Sequence, residues 1–204
     1  SIARRLPQAD KFVRNSDWVE GPFPLSSKMT GARLGLIGMG RIGQAIAKRA
    51  LAFDMSIAYT SRNPAQGVNY TYFSSAKELA AHVDYLVVIT PGGAATKHLV
   101  NAEVLAAMKP DAFLINLARG GVLDEDALLR ALQQKKIAGA ALDALATEPL
   151  PKDSPLWDME NVIVTPHHGG FHDEYAQKAL PTIIENFKHF MAGDIAGMIN
   201  RVKI

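Results

Sequence analysis

The sequence predicts an α/β fold in which a doubly wound parallel sheet is covered by helices. From Ala32 onward, short apolar runs alternate with segments of helical spacing, which is typical of parallel strands joined by right-handed crossovers. Several of these runs are almost continuously apolar, as expected for strands that are buried on both faces. A glycine-rich turn also follows the first run and opens the next helical segment.

The central elements follow in order along the chain. Six strands are predicted where aliphatic and β-branched residues cluster, at 33–37, 56–60, 84–90, 112–116, 137–142 and 162–165. Four helices are predicted between them, where apolar residues recur every three or four positions, at 41–53, 75–81, 101–107 and 124–134. Asp124 stands at the start of the last of these helices and is expected to cap it, because a carboxylate accepts hydrogen bonds from free first-turn N–H groups.

The two ends of the chain differ from this alternating centre. Residues 1–15 have helical spacing with a boundary at Pro7, and residues 16–30 are rich in Ser, Pro and Gly and predict a loop. A long helix is predicted over much of 172–192. We expect a kink at Pro181, because proline lacks the N–H group that a helix interior requires.

Composition excludes several classes of protein. The chain has 204 residues, 48% hydrophobic and 21% charged, and its 22 basic residues nearly balance 20 acidic ones. There is no basic tract of five or more, so we expect neither nucleic-acid nor membrane binding. The absence of cysteine excludes disulfides, thiolate nucleophiles and cysteine-based metal sites. Residues 1–10 carry charges and no apolar core of a signal peptide, so a cytoplasmic location is expected.

The segment GLIGMGRIG, residues 35–43, has the G-x-G-x-x-G spacing of a dinucleotide site. Gly38 permits a tight turn, Gly40 lets a pyrophosphate approach the backbone, and Gly43 lets the helix pack close to the strand. The helix N-terminus then offers free N–H groups and a positive dipole to phosphates. The position between a strand and a helix predicts a Rossmann-like nucleotide site, and a glycine turn without a ligand is the alternative.

The end of the second predicted strand bears on which dinucleotide binds. An acidic residue at this point accepts hydrogen bonds from the ribose 2′-OH and repels a 2′-phosphate. Here Ser61 and Arg62 occur instead, and no acid lies between Asp54 and Glu78. A serine hydroxyl can donate to a phosphate oxygen, and a guanidinium can pair with a dianionic phosphate. We therefore expect NADP(H) in preference to NAD(H), with NAD still possible; the alternative is a solvated Arg62 and an unselective site.

Three residues that follow strands are candidates for catalysis. Arg119, Glu148 and His167 come just after predicted strands, where an open α/β sheet faces its ligand crevice. An arginine can bind a carboxylate through two hydrogen bonds, a histidine can exchange a proton near neutral pH, and a glutamate can stabilise the imidazolium. His172 is a further candidate for lining the crevice. No metal site is expected, since His167, His168 and His172 lack the ligand spacing that is common in zinc sites.

Three longer segments carry a family resemblance. They are ITPGGAATKHLVNAEVLAAMKPDAFLINLARGGVLDEDAL, LWDMENVIVTPH and ENFKHFMAGD, and the resemblance that runs from the glycine turn through them extends over nearly the whole chain. With these motifs the sequence resembles the D-isomer-specific 2-hydroxyacid dehydrogenase family. The PGG at 91–93 and the Ser61–Arg62 pair are most similar to the glyoxylate/hydroxypyruvate reductase and hydroxyphenylpyruvate reductase branches, which tend to use NADPH.

The resemblance implies a reaction and a role for each candidate. Arg119 would bind the carboxylate and carbonyl of a 2-ketoacid, and His167 would be the general acid in its reduction to a D-2-hydroxyacid. His167 is chosen because it directly follows Thr-Pro, and the adjacent His168 is the alternative. Glu148 would be the partner of His167, with hydride passing between the nicotinamide C4 and the substrate C2. The cofactor-binding residues would be Gly38, Gly40, Arg41, Ile42, Gly43, Ser61, Arg62, Thr90, Pro91, Thr96, Ala118, Asp143, His167 and Gly170.

The resemblance also implies a domain organisation. We expect a hinge helix and linker at 1–27, a dinucleotide-binding domain at 28–171, and a C-terminal helix at 172–204 returning toward a substrate-binding domain. The first part of that second domain has no counterpart before Ser1, so we interpret the chain as a fragment. A homodimer is implied, to which the loop 16–30 can contribute. The family also contains dinucleotide-sensing transcriptional corepressors on the same fold, so a regulatory protein is the alternative to an enzyme.

Overall fold

A seven-stranded sheet organises the part of the chain that the computed structural model describes, residues 1–201. The strands are β1 (Arg33–Ile37), β2 (Ser56–Thr60), β3 (Thr71–Tyr72), β4 (Tyr85–Val88), β5 (Phe113–Asn116), β6 (Gly139–Leu142) and β7 (Val162–Val164). Their spatial order is β3-β2-β1-β4-β5-β6-β7, and every neighbouring pair is parallel. The predicted doubly wound, Rossmann-like α/β fold is confirmed.

The predicted helices are also present, with ends that shift by a few residues. They are α1 (Leu6–Arg14), α2 (Arg41–Ala50), α3 (Ala76–His82), α4 (Ala102–Ala107), α5 (Glu125–Gln133) and α6 (Tyr175–Met191). The segment predicted as one helix over 41–53 ends in a separate 3₁₀ turn, Leu51–Phe53. Asp124 caps α5 as expected, since its side chain accepts a hydrogen bond from the Ala127 N–H. Pro181 lies inside α6.

One strand was missed. β3 has two residues at the edge of the sheet and pairs with β2 through Ala58 and Thr71 and through Tyr59 and Tyr72. Two residues are too few to show an alternating pattern, so the sequence around it predicts only a loop. The strand forms because the free edge of β2 supplies its hydrogen-bonding partners.

Both faces of the sheet are buried, which explains the continuous apolar runs. Along β4, Tyr85 and Val87 contribute to one apolar cluster, whereas Leu86 and Val88 contribute to the cluster on the other side. This alternation follows from the two-residue period of a strand. Helices α3, α4 and α5 pack in the second cluster and α2 in the first. Each fully buried aliphatic side chain of leucine size stabilises such a core by about 2 kcal/mol relative to exposure.

The order of the strands creates a crevice at the carboxyl ends of the central strands. β1 and β4 are neighbours, but the chain continues from them toward opposite ends of the sheet. At such a switch point the loops that follow the two strands diverge and leave space for a ligand at the strands' carboxyl ends. The glycine turn follows β1 and the segment from Thr90 follows β4, so both lie at this point.

The chain divides into two compact units, residues 1–166 and the residues from His167 onward. The first unit contains the sheet and α1 to α5. The second contains α6, of which no residue is buried, and a tail whose Ile199 backbone exchanges two hydrogen bonds, of 2.9 and 2.6 Å, with the Asn186 amide of α6. Within residues 1–201, no helix has the length and apolar character needed to cross a membrane.

A cluster of charged side chains links β1 to β4 at the amino ends of the strands, opposite the crevice. The Asp84 carboxylate accepts hydrogen bonds from the Arg33 backbone N–H (2.8 Å) and guanidinium (3.3 and 3.4 Å), and it pairs with the Lys109 ammonium. Partial burial raises the pKa of Asp84, but the hydrogen bonds from Lys109 and Arg33 outweigh burial and lower this pKa to about 2. The carboxylate is therefore charged throughout the neutral range.

We expect Asp84→Asn to lower the free energy of unfolding at pH 7 by about 2 kcal/mol. Because the folded-state pKa of Asp84 lies below its unfolded value, its contribution is present above about pH 4 and is lost as the pH falls through 2. Urea unfolding at pH 7 and at pH 2.5 measures the effect, with the exposed Asp153→Asn as control. A difference between wild type and Asp84→Asn that stays constant between these pH values would contradict the assignment.

Candidate active site and cofactor crevice

The glycine turn after β1 has the geometry that its sequence predicts. Gly38 has φ +111°, and a Cβ atom there would lie 2.5 Å from the Ile89 carbonyl oxygen, so only glycine fits. A Cβ atom on Gly43 would overlap the Gly38 carbonyl oxygen. Around Gly40, by contrast, a Cβ atom would meet no atom of the described chain within 4 Å. The backbone therefore requires glycine at two positions and leaves open space at the third.

The start of α2 is suited to bind a phosphate. Gly40 is its N-cap residue, and no side chain of residues 1–201 caps this helix. The corresponding first-turn N–H groups of the other crossover helices are capped by side chains, those of Ser75 in α3, Asn101 in α4 and Asp124 in α5. The first turn of α2 also exposes Arg41 and Ile42. Uncapped N–H groups at the positive end of a helix favour an anion.

The loop after β2 carries the two residues predicted to select the cofactor. The Ser61 hydroxyl donates to the Asn63 carbonyl (2.6 Å), and Arg62 is exposed and in no ion pair within the described part of the chain. At the end of β2, the Thr60 carbonyl accepts a hydrogen bond from the Gly38 N–H (2.9 Å). This bond joins the last residue of β2, directly before the loop, to the glycine turn.

The segment after β4 forms the other wall of the crevice. The Thr96 hydroxyl donates to the Pro91 carbonyl (2.8 Å), which closes a turn that contains Gly93 at φ +140°. The Thr90 hydroxyl oxygen is buried and has no hydrogen-bond partner among the described residues. A buried hydroxyl without a partner costs free energy, so a ligand or water that reached it would stabilise the site.

Arg119 is exposed on the loop that follows β5. One guanidinium nitrogen, Nη1, donates to the carbonyl of the buried Ala118 (2.7 Å). The stem of the side chain passes over Gly92, where a Cβ atom would lie 3.0 Å from the Arg119 Cγ. The loops after β4 and β5 therefore touch through this arginine. Its remaining N–H groups can bind a carboxylate.

The loop of Arg119 also lies directly against the loop of Glu148. A Cβ atom on Gly120 would overlap the Leu145 carbonyl group, so the two backbones approach as closely as they can. The exposed Glu148 side chain accepts a hydrogen bond from the Leu145 N–H through Oε1 (2.9 Å). Arg119 and Glu148 thus belong to two adjoining loops at the carboxyl ends of β5 and β6.

Two further predicted residues follow β6 and β7. The half-buried Asp143 accepts a hydrogen bond from the Thr165 hydroxyl through Oδ1 (2.6 Å). His167 comes three residues after β7 and is the first residue of the second unit. It is half-buried with φ +50°, and the next turn, which contains Gly170, is closed by a hydrogen bond from the Phe171 N–H to the His168 carbonyl (2.9 Å).

Comparison with known proteins decides the family. The sequence pattern described as "D-isomer specific 2-hydroxyacid dehydrogenase, NAD binding domain" matches residues 1–169. The chain belongs to this family. The family prediction is thereby confirmed, and so is the class of cofactor site that the glycine turn predicts.

Members of the family with assigned activities are similar over nearly the whole chain. A hydroxyphenylpyruvate reductase of Plectranthus scutellarioides is 40% identical over 193 residues, which are 95% of this chain and 61% of that protein. Glyoxylate/hydroxypyruvate reductase A of Arabidopsis thaliana is 38% identical, with the same two coverages. The crystal structure of an NADPH-dependent glyoxylate/hydroxypyruvate reductase of Sinorhizobium meliloti with NADP and malonate is 39% identical, with a TM-score of 0.89 over 100% of this chain and 66% of that one. The chain spans about 61% of the length of the two curated relatives.

One residue that organises this family member's site escaped the sequence analysis. Asn116, the last residue of β5, is fully buried. Its Oδ1 accepts a hydrogen bond from the Ala118 N–H (3.1 Å), and its Nδ2 donates to the Ala144 carbonyl (3.0 Å). A single buried amide therefore holds both the loop of Arg119 and the loop of Glu148. The available signal was a polar residue closing the apolar run FLIN.

A surface cavity of this family member lies away from the candidate site. The cavity, of about 500 Å³, is lined by Leu132, Ile137 and Met159 among others, at the amino ends of the strands. Catalytic and cofactor groups of an open α/β sheet lie at the opposite ends, so this cavity is not the candidate site. Within residues 1–201, no group of three or more His, Asp or Glu side chains is placed to hold a metal ion.

Proposed function

We propose that the protein is an NADPH-dependent reductase that converts a small 2-ketoacid into a D-2-hydroxyacid. The observation that carries the proposal is the placement of Arg119, which packs over the loop after β4 and precedes Gly120, whose backbone meets the loop of Glu148. A carboxylate-binding guanidinium therefore stands beside the switch point that holds the dinucleotide. The names of the relatives support substrates of the glyoxylate, hydroxypyruvate and hydroxyphenylpyruvate type.

The proposed reaction uses three side chains of this chain. Arg119 binds the substrate carboxylate and polarises the neighbouring carbonyl. His167 donates a proton to the carbonyl oxygen as negative charge develops there, and Glu148 stabilises the imidazolium that holds this proton. NADPH, when bound, supplies the hydride that completes the reduction at C2. In the reverse direction His167 accepts the proton of the hydroxyl group.

The residues at the crevice fit a dinucleotide. The open space at Gly40 and the uncapped start of α2 suit the pyrophosphate, and the buried hydroxyl of Thr90 lies at the switch point without a hydrogen-bond partner among residues 1–201. We assign the nicotinamide half to the segments after β4, β5 and β6. The proposed set is Gly38, Gly40, Arg41, Ile42, Gly43, Ser61, Arg62, Thr90, Pro91, Thr96, Ala118, Asp143, His167 and Gly170.

The proposed preference for NADPH rests on the loop after β2. Ser61 and Arg62 stand where an acid would repel a 2′-phosphate, and Arg62 has no ion-pair partner in the described chain that would compete for it. A guanidinium and a phosphate dianion form a strong charge-assisted contact. NADP is bound in the similar Sinorhizobium structure, which supports the assignment.

We expect Ser61→Asp to reverse the cofactor preference. The new carboxylate would repel the 2′-phosphate and accept hydrogen bonds from a ribose 2′-OH, so the affinity for NADPH should fall about 100-fold while that for NADH is kept or rises. Fluorescence titration with both cofactors measures the two dissociation constants, and Ser61→Ala serves as the neutral control. Equal or tighter binding of NADH by the wild type would refute the proposed preference.

The activity itself is tested by following NADPH oxidation. The full-length protein should oxidise NADPH with at least one of glyoxylate, hydroxypyruvate and hydroxyphenylpyruvate, and more slowly with NADH. If no 2-ketoacid is turned over, the enzyme assignment is contradicted. Tight NADPH binding without turnover would instead favour the regulatory alternative.

The proposal extends to domains, assembly and location. We assign a hinge helix and linker to 1–27, the dinucleotide-binding domain to 28–171, and the C-terminal segment that contains α6 and returns to a substrate-binding domain to 172–204, of which 202–204 lie outside the described residues. The exposed apolar side chains of α6 support such a covering domain, and the exposed Trp18, Val19 and Leu25 of the loop 16–30 support pairing in a homodimer. We also propose a cytoplasmic location. Sedimentation of the full-length protein tests the dimer, and cell fractionation tests the location.

A further inference from the structure

Two tyrosine hydroxyls bracket the turn that carries Arg62. The Tyr72 hydroxyl donates to the Ser61 carbonyl (3.3 Å), on one side of Arg62. On the other side, the Tyr59 hydroxyl accepts a hydrogen bond from the Ala65 N–H (2.9 Å). The backbone between these bonds is therefore attached at both ends to side chains of the sheet.

The two tyrosines are well placed to act as rigid supports. Tyr59 and Tyr72 are register partners on β2 and β3, and their rings lie 5.4 Å apart. Tyr59 is 2% exposed and belongs to the apolar core, and Tyr72 packs against that core. Because buried rings in contact have few alternative rotamers, their hydroxyl groups hold fixed positions. The short edge strand β3 thus brings the second hydroxyl to the loop.

The turn is also closed from within. The Ser61 hydroxyl donates to the Asn63 carbonyl, so three hydrogen bonds restrain the backbone around Arg62. The Arg62 side chain itself is exposed. Ordering a loop and a long side chain on binding costs free energy, and a backbone that is already ordered removes part of this cost.

We propose that Tyr72 and Tyr59 are positioning residues that hold Ser61 and Arg62 for the 2′-phosphate of NADPH. The inference rests on the proposed preference for this cofactor. The tyrosines should affect only the binding of the 2′-phosphate, which NADH lacks. The part of the dinucleotide that NADPH and NADH share meets the glycine turn and the start of α2 instead. The cofactor preference thus depends on two residues that do not themselves touch the phosphate.

The test compares a tyrosine-to-phenylalanine variant with a matched control variant, both in the full-length protein. Tyr72→Phe removes the bond to Ser61, whereas the control Tyr85→Phe removes a similar bond to the Lys28 carbonyl (3.5 Å), made by a residue at the start of β4. Dissociation constants for NADPH and NADH are measured by fluorescence titration at one ionic strength. We expect Tyr72→Phe to weaken NADPH about five-fold and NADH by less than about two-fold, and Tyr85→Phe to leave the ratio of the two constants unchanged.

Tyr59→Phe is the second variant and should also shift the ratio against NADPH. The ratio is measured within each protein, so a general loss of folded protein would move both constants alike and would not imitate the effect. If the wild type prefers NADPH and Arg62→Ala abolishes that preference, but neither tyrosine variant changes the ratio, the positioning role is wrong and the proposed function stands. If the wild type does not prefer NADPH, both the positioning role and the proposed cofactor preference are wrong, whereas the enzyme assignment is decided by turnover.

Discussion

Replacing Arg119 by alanine should lower kcat/KM for 2-ketoacids about 1000-fold while the affinity for NADPH changes by less than about two-fold. The guanidinium lies at the junction of the loops after β4 and β5, and its hydrogen bond to the Ala118 carbonyl leaves further N–H groups for the substrate. The loss of two charge-assisted hydrogen bonds to a carboxylate is worth roughly 4 kcal/mol, which corresponds to this change in rate.

The experiment requires the full-length protein and two further variants for comparison. Arg119→Lys keeps the charge but loses the planar fork, so it should recover only a small part of the activity. Arg130→Ala removes an exposed arginine of α5 and should behave like the wild type. If Arg119→Ala abolished NADPH binding together with turnover, the arginine would belong to the cofactor site and its proposed role would be misplaced.

Among substitutions that add a single methyl group to the site, Gly120→Ala should be the most disruptive. A Cβ atom there would overlap the Leu145 carbonyl, and backbone atoms cannot move aside as the end of a flexible side chain can. The loops that carry Arg119 and Glu148 would have to separate. We expect the free energy of unfolding to fall by about 3 kcal/mol and kcat/KM to fall by about 100-fold, because small displacements of catalytic groups have large effects on rate.

The neighbouring glycine provides a matched control. A Cβ atom on Gly121 would meet nothing within 4 Å of the described chain, so Gly121→Ala should change the unfolding free energy by less than about 0.5 kcal/mol. Urea denaturation and steady-state kinetics of both variants give the comparison. If Gly120→Ala matched Gly121→Ala in stability and activity, the two loops would not be in the close contact that the structure shows.

Features that depend on residues close together in the chain were predictable. The apolar runs and helical spacing predicted six strands and all the major helices, since burial periodicity is a local property. The glycines at 38, 40 and 43 predicted their turn because the strand before the motif and the helix after it are adjacent to it in the sequence. Asp124 was recognised as a cap for the same reason.

Other features of the site depend on residues that are distant in the sequence. Nothing near Asn116 indicates that its amide would reach Ala144, 28 residues later, because that bond requires β6 to lie beside β5. The two-residue strand β3 exists only because β2 offers a free edge, and it alone brings Tyr72 to Ser61.

The amino-acid sequence by itself determined the fold class, the nucleotide turn, the absence of an acid after β2 and the family. Each of these resides in a short stretch of chain, where spacing and side-chain chemistry are sufficient. Only the tertiary structure decided which loops meet, as at Gly120 and Leu145, and which buried side chains hold them, as Asn116 does. The reason is physical: the order of strands in the sheet sets these approaches, and that order is a consequence of packing the whole chain.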